Sequence, residues 1–219
     1  MIDCNSISKE SSLLNETLQE QLKQLLARMK EPVEFVAVLD PDAGTGREMA
    51  EFLNVFCSLS DRLSLRLYRP EEASEAPELD TAYLPVTGLY QNGVYQRAAF
   101  HGVPGGKEIN SFVAAVLNLA GAGKGVGFLL RRKIDKIQKK ANLKICVSLA
   151  CHHCPNVVAA CQQLALLNPN VEAEMIDARL YEELVARYKI ERVPFLIVND
   201  QDTYMGEKTI EDIVNLLNT

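Results

Sequence analysis

Hydrophobic residues along this chain alternate between the spacing of a helix face and the short, unbroken runs of buried strands. Leucines and Met29 return every three or four positions between residues 14 and 29, which predicts a helix. Residues 33–39 are almost entirely apolar, as in a strand that is covered on both faces, and residues 143–149 are predicted to form another strand. Further strands are predicted at 63–68, 84–90, 94–100, 171–177, 195–198 and 202–205, and further helices at 44–56, 107–119, 131–140, 151–167, 180–188 and 209–217. This alternation places the chain in the α/β class.

The same order of elements occurs twice. Each half has a strand, a helix, a strand, a connection, a proline, two strands and a helix. Leu39 matches Leu149 at an offset of 110, and Pro85 matches Pro194 at an offset of 109. A near-constant offset indicates an internal repeat. We therefore predict two tandem domains, at residues 1–121 and 143–219, joined by a glycine-rich linker and a connecting helix with a basic solvent face over residues 122–142.

Composition and charge remove several classes of function. The 219 residues carry a net charge of −6, which disfavours a nucleic-acid partner because phosphate binding needs a concentrated positive surface. No apolar run approaches the ~20 residues that a membrane helix needs. Residues 1–12 lack the apolar core of a secretion signal. We therefore expect a cytoplasmic protein whose partners include neither nucleic acid nor membrane.

Six cysteines do not suggest a disulfide framework in a chain of this length, but two of them are placed for chemistry. Cys151 and Cys154 are three residues apart where a predicted strand meets a predicted helix, so they can close a small disulfide ring. The free N–H groups and the positive dipole end of a helix start stabilise a thiolate. Since the thiolate is the species that attacks disulfides, we expect Cys151 to be the nucleophile and Cys154 the resolving thiol.

Two histidines, His152 and His153, lie between these cysteines. In one interpretation they are exposed polar residues without a role. In the other, an imidazolium from one of them further stabilises the thiolate, at the place where a disulfide substrate binds. Cysteine and histidine are also zinc and copper ligands. Four ligands from consecutive residues fit a tetrahedral metal poorly, however, and no second ligand pair completes the set, so we expect no metal.

A strand–helix–strand, proline, strand–strand–helix unit with Cys-x-x-Cys after its first strand resembles the thioredoxin fold. The closer resemblance is to the N-terminal module of the alkyl hydroperoxide reductase flavoprotein family, in which two thioredoxin-like folds are fused and only the second has the cysteine pair. The residues that carry this resemblance are 147–158, 166–169, 176–177, 193–194 and 209–214. It implies two tandem thioredoxin-like folds, each a central mixed β-sheet flanked by helices. It also implies that Val193 and Pro194 form a cis-proline element that lines the substrate site.

The chain departs from the thioredoxin pattern at a position that matters for proton transfer. Ile145 stands six residues before Cys151, where thioredoxins have a buried carboxylate. We expect Glu108, near the start of the last helix of the first half, to supply this group if it packs over the cysteines. The alternative is a surface glutamate at a helix start. In the first half Pro41 and Gly44 occupy the positions that correspond to the two cysteines. That half is therefore expected to be a docking and scaffolding domain.

The resemblance implies a thiol–disulfide oxidoreductase that relays electrons from a flavoprotein disulfide reductase, similar to thioredoxin reductase, to a peroxiredoxin or another protein disulfide. No cofactor is expected in this chain. FAD and NADH are expected on the partner reductase or on a missing C-terminal module. The alternatives are a general protein disulfide reductase or isomerase, which usually has a cysteine pair in each half, and a metal-binding adaptor module. A homodimer is also compatible with the sequence.

Overall fold

The apolar runs form eight strands and the periodic segments form seven α-helices in the computed structural model, which describes residues 1–42 and 44–218. These elements gather into two compact units. The first contains Met1–Val103 and Leu119–Ala122, and the second contains Pro104–Asn118 and the described residues from Gly123 onward. The segment from 104 to 118 therefore belongs to the unit that holds the cysteine pair.

The first unit is built on a mixed β-sheet. Its elements are α1 (Glu16–Leu26), β1 (Val33–Val38), α2 (Gly44–Cys57), β2 (Leu63–Tyr68), β3 (Val86–Gln91) and β4 (Val94–His101). The strands follow the order β2-β1-β3-β4, with β1 parallel to β2 and antiparallel to β3. β3 and β4 form an antiparallel hairpin. Its turn residues Asn92 and Gly93 both have positive φ, as the Asn-Gly turn in the sequence predicts.

Strand β1 lies at the centre of the core of the first unit. All of its residues are buried except Glu34, which pairs with Arg66 of β2 at 2.7 Å. Phe35 meets Phe56 edge to face with 5.9 Å between ring centroids, and Phe56 stacks on Phe52 at 6.0 Å. A strand buried on both faces must be apolar at nearly every position, which explains its sequence.

The second unit is built on a sheet of the same design. Its elements are α3 (Ile109–Leu119, whose last residue belongs to the first unit), α4 (Phe128–Ile134), β5 (Ala141–Val147), α5 (Cys154–Leu167), β6 (Val171–Asp177), α6 (Glu182–Tyr188), β7 (Phe195–Val198), β8 (Asp202–Met205) and α7 (Ile210–Leu217). The strands follow the order β6-β5-β7-β8. β5 is parallel to β6 and antiparallel to β7, and β7 is antiparallel to β8. β5 is therefore the counterpart of β1, and its carboxyl end leads into the cysteine pair.

The repeat extends to the proline that precedes the hairpin in each unit. The peptide bonds Leu84–Pro85 and Val193–Pro194 are both cis. Pro85 accepts a backbone hydrogen bond from Gly102, and Pro194 accepts one from Gly206, each at 2.9 Å. The internal repeat predicted from the sequence offsets is thus confirmed in strand order, strand direction and proline environment.

Several predicted helices begin or end a few residues from the observed limits, and the two at 107–119 and 131–140 also change in type or length. The predicted helix 107–119 divides into a 3-10 turn at Gly106–Glu108 and α3. The predicted basic helix 131–140 is wrong beyond Ile134, where α4 ends. Ile134 and Ile137 are nevertheless buried, and the lysines and arginines of this stretch are exposed, as the apolar spacing predicts.

The sequence predicts domains at residues 1–121 and 143–219 with a linker at 122–142. These limits follow from the repeat in the sequence and stay a prediction.

Over residues 1–42 and 44–218, every helix is too short or too polar to cross a bilayer.

Candidate active site

The cysteine pair occupies the turn between β5 and α5. β5 is buried along nearly its whole length, and Ser148 closes a turn by accepting a hydrogen bond from the Cys151 amide at 2.8 Å. α5 begins at Cys154, not at Cys151, with Pro155 in its first turn, where the missing N–H has no helical partner to lose. The Cys154 amide points back to the Cys151 Sγ at 3.2 Å. A free N–H of the helix start thus reaches the sulfur expected to become a thiolate.

Cys151 and Cys154 form a disulfide, with 5.6 Å between their Cα atoms. The two sulfurs differ in accessibility, because Cys151 is partly exposed and Cys154 is fully buried. A partner thiol or disulfide can therefore reach Cys151 first. Cys154 has no exposed surface and is bonded to Cys151, which suits a thiol that closes the ring again.

The segment Val193–Pro194 lies beside the exposed sulfur. The Cys151 Sγ is 3.9 Å from the Val193 carbonyl oxygen. Val193 is half-buried and Pro194 is buried, so main-chain groups rather than long side chains border the sulfur at this point. The structure thus brings together Cys151, Cys154 and Val193, residues that are separated by about 40 positions in the chain.

Glu108 is buried in the same unit as the cysteines and is not a surface residue. The amide of Lys107 donates to the Leu149 carbonyl at 2.9 Å, which ties the Gly106–Glu108 turn to the loop before Cys151. The Ser111 hydroxyl donates to one carboxylate oxygen of Glu108, and the other oxygen has no partner among the described residues. The pKa of Glu108 is raised to about 7, chiefly by burial; the Ser111 bond opposes the rise and the charge of Asp177 adds to it.

The two histidines have different surroundings, although both are exposed. The His153 Nδ1 lies 3.0 Å from a carboxylate oxygen of Glu207. The other oxygen of Glu207 accepts a hydrogen bond from Asn156 at 3.0 Å. The Asn156 bond and the neighbouring His153 lower the pKa of Glu207. The His152 side chain forms no hydrogen bond with any residue in the described ranges.

Glu207 is the site residue that the sequence does not reveal. It lies more than 50 positions from both of its partners, in the loop after β8. No spacing or motif connects it with the cysteines, and only the return of the chain beside α5 places it there.

The remaining cysteines are free thiols. Cys146 and Cys161 are fully buried. Burial raises the pKa of the Cys146 thiol to about 12, and it also raises the pKa of the Cys161 thiol well above its usual value. Such thiols are poor nucleophiles near neutral pH. Within residues 1–42 and 44–218, no group of three or more His, Cys, Asp or Glu side chains is placed to hold a metal ion.

Comparison with known proteins is consistent with this site. The "Thioredoxin domain" family matches residues 141–218, which include the cysteine pair. The alkyl hydroperoxide reductase protein AhpF of Pseudomonas putida is 31% identical over 94% of this chain and 38% of its own length. The chain thus spans about two-fifths of the curated relatives it matches.

Solved structures extend the similarity to both units. An AhpF structure from Enterococcus faecalis, a C503A mutant, superposes with a TM-score of 0.86 at 33% identity and covers 94% of this chain and 100% of that one. The separate NTD_N/C domain of the same protein gives 0.85 at 34% identity, with 93% and 99% coverage. The predicted fold class, two tandem thioredoxin-like folds with mixed sheets flanked by helices, is confirmed.

Proposed function

We propose that this chain, which belongs to the family of N-terminal modules of the alkyl hydroperoxide reductase AhpF, relays electrons from a flavoprotein reductase to a peroxiredoxin or another protein disulfide. At the coarser level the chain is a thiol–disulfide oxidoreductase: a thioredoxin-fold unit with a disulfide at Cys-x-x-Cys spacing. The observation that carries the proposal is the asymmetry of this disulfide. Cys151 is partly exposed and its sulfur receives the first amide of α5, whereas Cys154 is buried.

The relay consists of two exchange steps whose atoms and electrons balance. In the reduced module, the Cys151 thiolate attacks one sulfur of the partner disulfide; a mixed disulfide forms, the partner S–S bond breaks, and one partner thiolate leaves. Cys154 then loses its proton and attacks the Cys151 sulfur. This restores the Cys151–Cys154 disulfide and releases the second partner thiolate. The module is oxidised by two electrons and the partner is reduced by two. A reductase dithiol reverses both steps.

Glu108 is proposed to take the proton of Cys154 in the second step and to return it during reduction. Cys154 is excluded from bulk solvent, so its proton needs a nearby acceptor. Glu108 has an unpartnered carboxylate oxygen, and burial raises its pKa to about 7, in the range where a carboxyl both accepts and releases protons near neutral pH. The turn that carries Glu108 contacts α5, which begins at Cys154.

Val193 and Pro194 are proposed to border the bound partner chain, with His152 and His153 on the rim of the same site. The Val193 carbonyl next to the Cys151 sulfur is a main-chain group that an extended peptide can meet. His153 is held by Glu207, whereas His152 is free to turn toward the partner. An imidazolium at His152 would stabilise the attacking thiolate.

The cofactors of the relay are proposed to act on a polypeptide outside this chain. Dithiol exchange itself needs no cofactor, so FAD and NADH are proposed to act on the reductase side of the relay. A reducing compartment such as the cytoplasm would keep the pair in its working cycle. The first unit, with Pro41 and Gly44 at the cysteine positions, is proposed to act as a scaffold and docking surface.

Trapping the mixed disulfide tests this proposal. Cys154→Ser removes the resolving thiol but leaves the nucleophile, so a partner that Cys151 attacks should stay covalently bound. We expect a peroxiredoxin disulfide to form a reducible adduct with C154S, visible as a mass increase, and none with the matched variant C151S. A folded C154S protein that forms no adduct with a peroxiredoxin disulfide or with insulin would refute the relay.

A further inference from the structure

The loop between β8 and α7 places a carboxylate against the histidine that precedes Cys154. Glu207 is bonded on both oxygens, with His153 Nδ1 and Asn156 each at 3.0 Å. A carboxylate only accepts hydrogen bonds, so the His153 nitrogen that faces it carries the proton. In the neutral ring, Nε2 is then the unprotonated nitrogen and an acceptor.

The same loop is fixed to the segment that borders the Cys151 sulfur. The Gly206 amide, one residue before Glu207, donates to the Pro194 carbonyl at 2.9 Å. Glu207 therefore joins three parts of the site: the cysteine turn through His153, the start of α5 through Asn156, and the Val193–Pro194 segment through its own loop. The His153 side chain is 68% exposed, and its Nε2 has no hydrogen-bond partner among the described residues.

We infer that Glu207 is a positioning residue that adapts the site to disulfides carried on a polypeptide. By accepting from Nδ1–H it fixes the ring and tautomer of His153, so that Nε2 accepts a hydrogen bond from a main-chain N–H of the partner beside the Val193–Pro194 segment. This inference rests on the proposed function. It adds a means by which the site favours a peptide chain, which offers main-chain N–H donors, over a small disulfide that has no main chain.

The alternative is that the Glu207–His153 pair acts only through its charges on the cysteine thiolate. Charge acts on every disulfide substrate alike, whereas a hydrogen bond to the partner main chain acts only on substrates that have peptide groups. The two mechanisms therefore differ in the ratio of activities on peptide and small disulfides.

The variant Glu207→Gln keeps the shape of the side chain but reverses the direction of its hydrogen bond with His153. Its amide oxygen can still accept from Asn156, but its NH2 group now donates to Nδ1 and leaves the proton of neutral His153 on Nε2. The matched control is Glu211→Gln, which removes the same charge from an exposed position in the first turn of α7. Nitrogen NMR of the imidazole at mildly alkaline pH reports the tautomer directly. We expect Nδ1–H in the wild type and in E211Q, and Nε2–H in E207Q.

Kinetics on two probes test the consequence. We expect E207Q to raise KM for insulin disulfides, so that the ratio of kcat/KM on insulin to that on hydroxyethyl disulfide falls about 2- to 5-fold, the range of an exposed charged contact. E211Q should keep the wild-type ratio. The inference is overturned if E207Q keeps the wild-type tautomer, or if its ratio equals that of E211Q. A wild-type protein that reduces neither probe would instead refute the proposed function, so the two failures are distinguishable.

Discussion

Glu108 shows how one buried residue can serve both chemistry and stability. Its side chain is fully buried, one carboxylate oxygen has no hydrogen-bond partner within residues 1–42 and 44–218, and burial raises its pKa to about 7. An ionised carboxylate in this place is costly, because it loses water and gains only the Ser111 hydroxyl. A group kept for structure alone would be replaced here by an apolar residue at no loss. Its cost is explained if the carboxyl exchanges protons with the cysteine pair.

Glu108→Gln is expected to slow disulfide closure and to remove a pH-dependent loss of stability. The pKa of the carboxyl is 4.5 in the unfolded chain and about 7 in the folded protein. Between these values the folded protein binds more protons, so the free energy of unfolding falls as pH rises from about 4.5 through about 7. The loss sums to about 3 kcal/mol. Urea unfolding at about pH 5 and about pH 8 measures it, and E108Q should lack it.

Two further variants make the assignment of this pH effect specific. Ser111→Ala removes the bond that lowers the pKa of Glu108, so the loss of stability should move to higher pH. Glu211→Gln removes an exposed carboxyl and should keep the wild-type profile. If E108Q loses stability with pH as steeply as the wild type, another group is responsible.

At the scale of residues, the sequence predicts what local spacing determines. Cys151 and Cys154 are three positions apart, so their disulfide follows from the motif itself. The exposure of the first and the burial of the second depend on the packing of α5 and are not visible in the spacing. Glu207 cannot be predicted, because it meets His153 only through the tertiary fold. The burial of Glu108 depends on the assignment of α3 to the second unit, which no motif indicates.

At the scale of elements, the contact between the Gly106–Glu108 turn and the cysteine loop is held by a glycine. Gly106 has φ of +55°, and a Cβ on it would lie 2.5 Å from the Leu149 carbonyl oxygen. That oxygen accepts the Lys107 amide, the bond that connects the two segments. Only a residue without a side chain allows this approach.

Gly106→Ala is therefore expected to lower the free energy of unfolding by more than an alanine at positive φ does by itself. An alanine at positive φ costs about 1 kcal/mol, and relief of the clash with Leu149 should bring the total to about 2–3 kcal/mol. Gly44→Ala is the matched control, because Gly44 has φ of +51° and, its two chain neighbours aside, no atom of the described residues lies within 4 Å of its added Cβ. Thermal and urea unfolding compare the two. G106A should also slow insulin reduction. If G106A and G44A lower the free energy of unfolding equally, the contact between Gly106 and Leu149 has no special role.

The limits of the elements show where sequence patterns stop being informative. Strands 63–68, 171–177, 195–198 and 202–205 agree with the predicted bounds. Strands 171–177 and 195–198 are buried along most or all of their length, and the apolar run ends where the strand ends. Strand 202–205 is mostly exposed, and its bounds follow instead from the turn at Asn199 and Asp200 before it and Gly206 after it, all three with positive φ. Helix starts agree less well. α5 begins three residues after Cys151 because Ser148 and Cys151 form a turn first, and α4 ends at Ile134 although the apolar spacing continues to Ile137. Caps and turns decide these ends, and periodicity does not record them.

At the scale of the whole molecule, two units share one topology but not one chemistry. The first unit keeps the strand order, the proline and its glycine hydrogen bond, yet has no cysteine where the second unit has its pair. Its own thiols lie elsewhere. The Cys4 sulfur lies 3.8 Å from the Leu65 carbonyl oxygen and the Cys57 sulfur 3.7 Å from that of Ser64, both on β2. Burial raises the pKa of both thiols, so neither is prepared to attack a disulfide.

Electron transfer should therefore depend on two of the six cysteines. We expect the double variant Cys4→Ser/Cys57→Ala to reduce insulin within about twofold of the wild type, and Cys151→Ser to lose at least about 100-fold, since the remaining thiols have no accessible thiolate. Titration of the unfolded wild type should give four thiols when oxidised and six after reduction. Loss of activity in a folded C4S/C57A protein would assign the first unit a redox part in the relay. Retained activity would agree with the scaffold role that the sequence predicts for the first unit, because that unit has no cysteine pair.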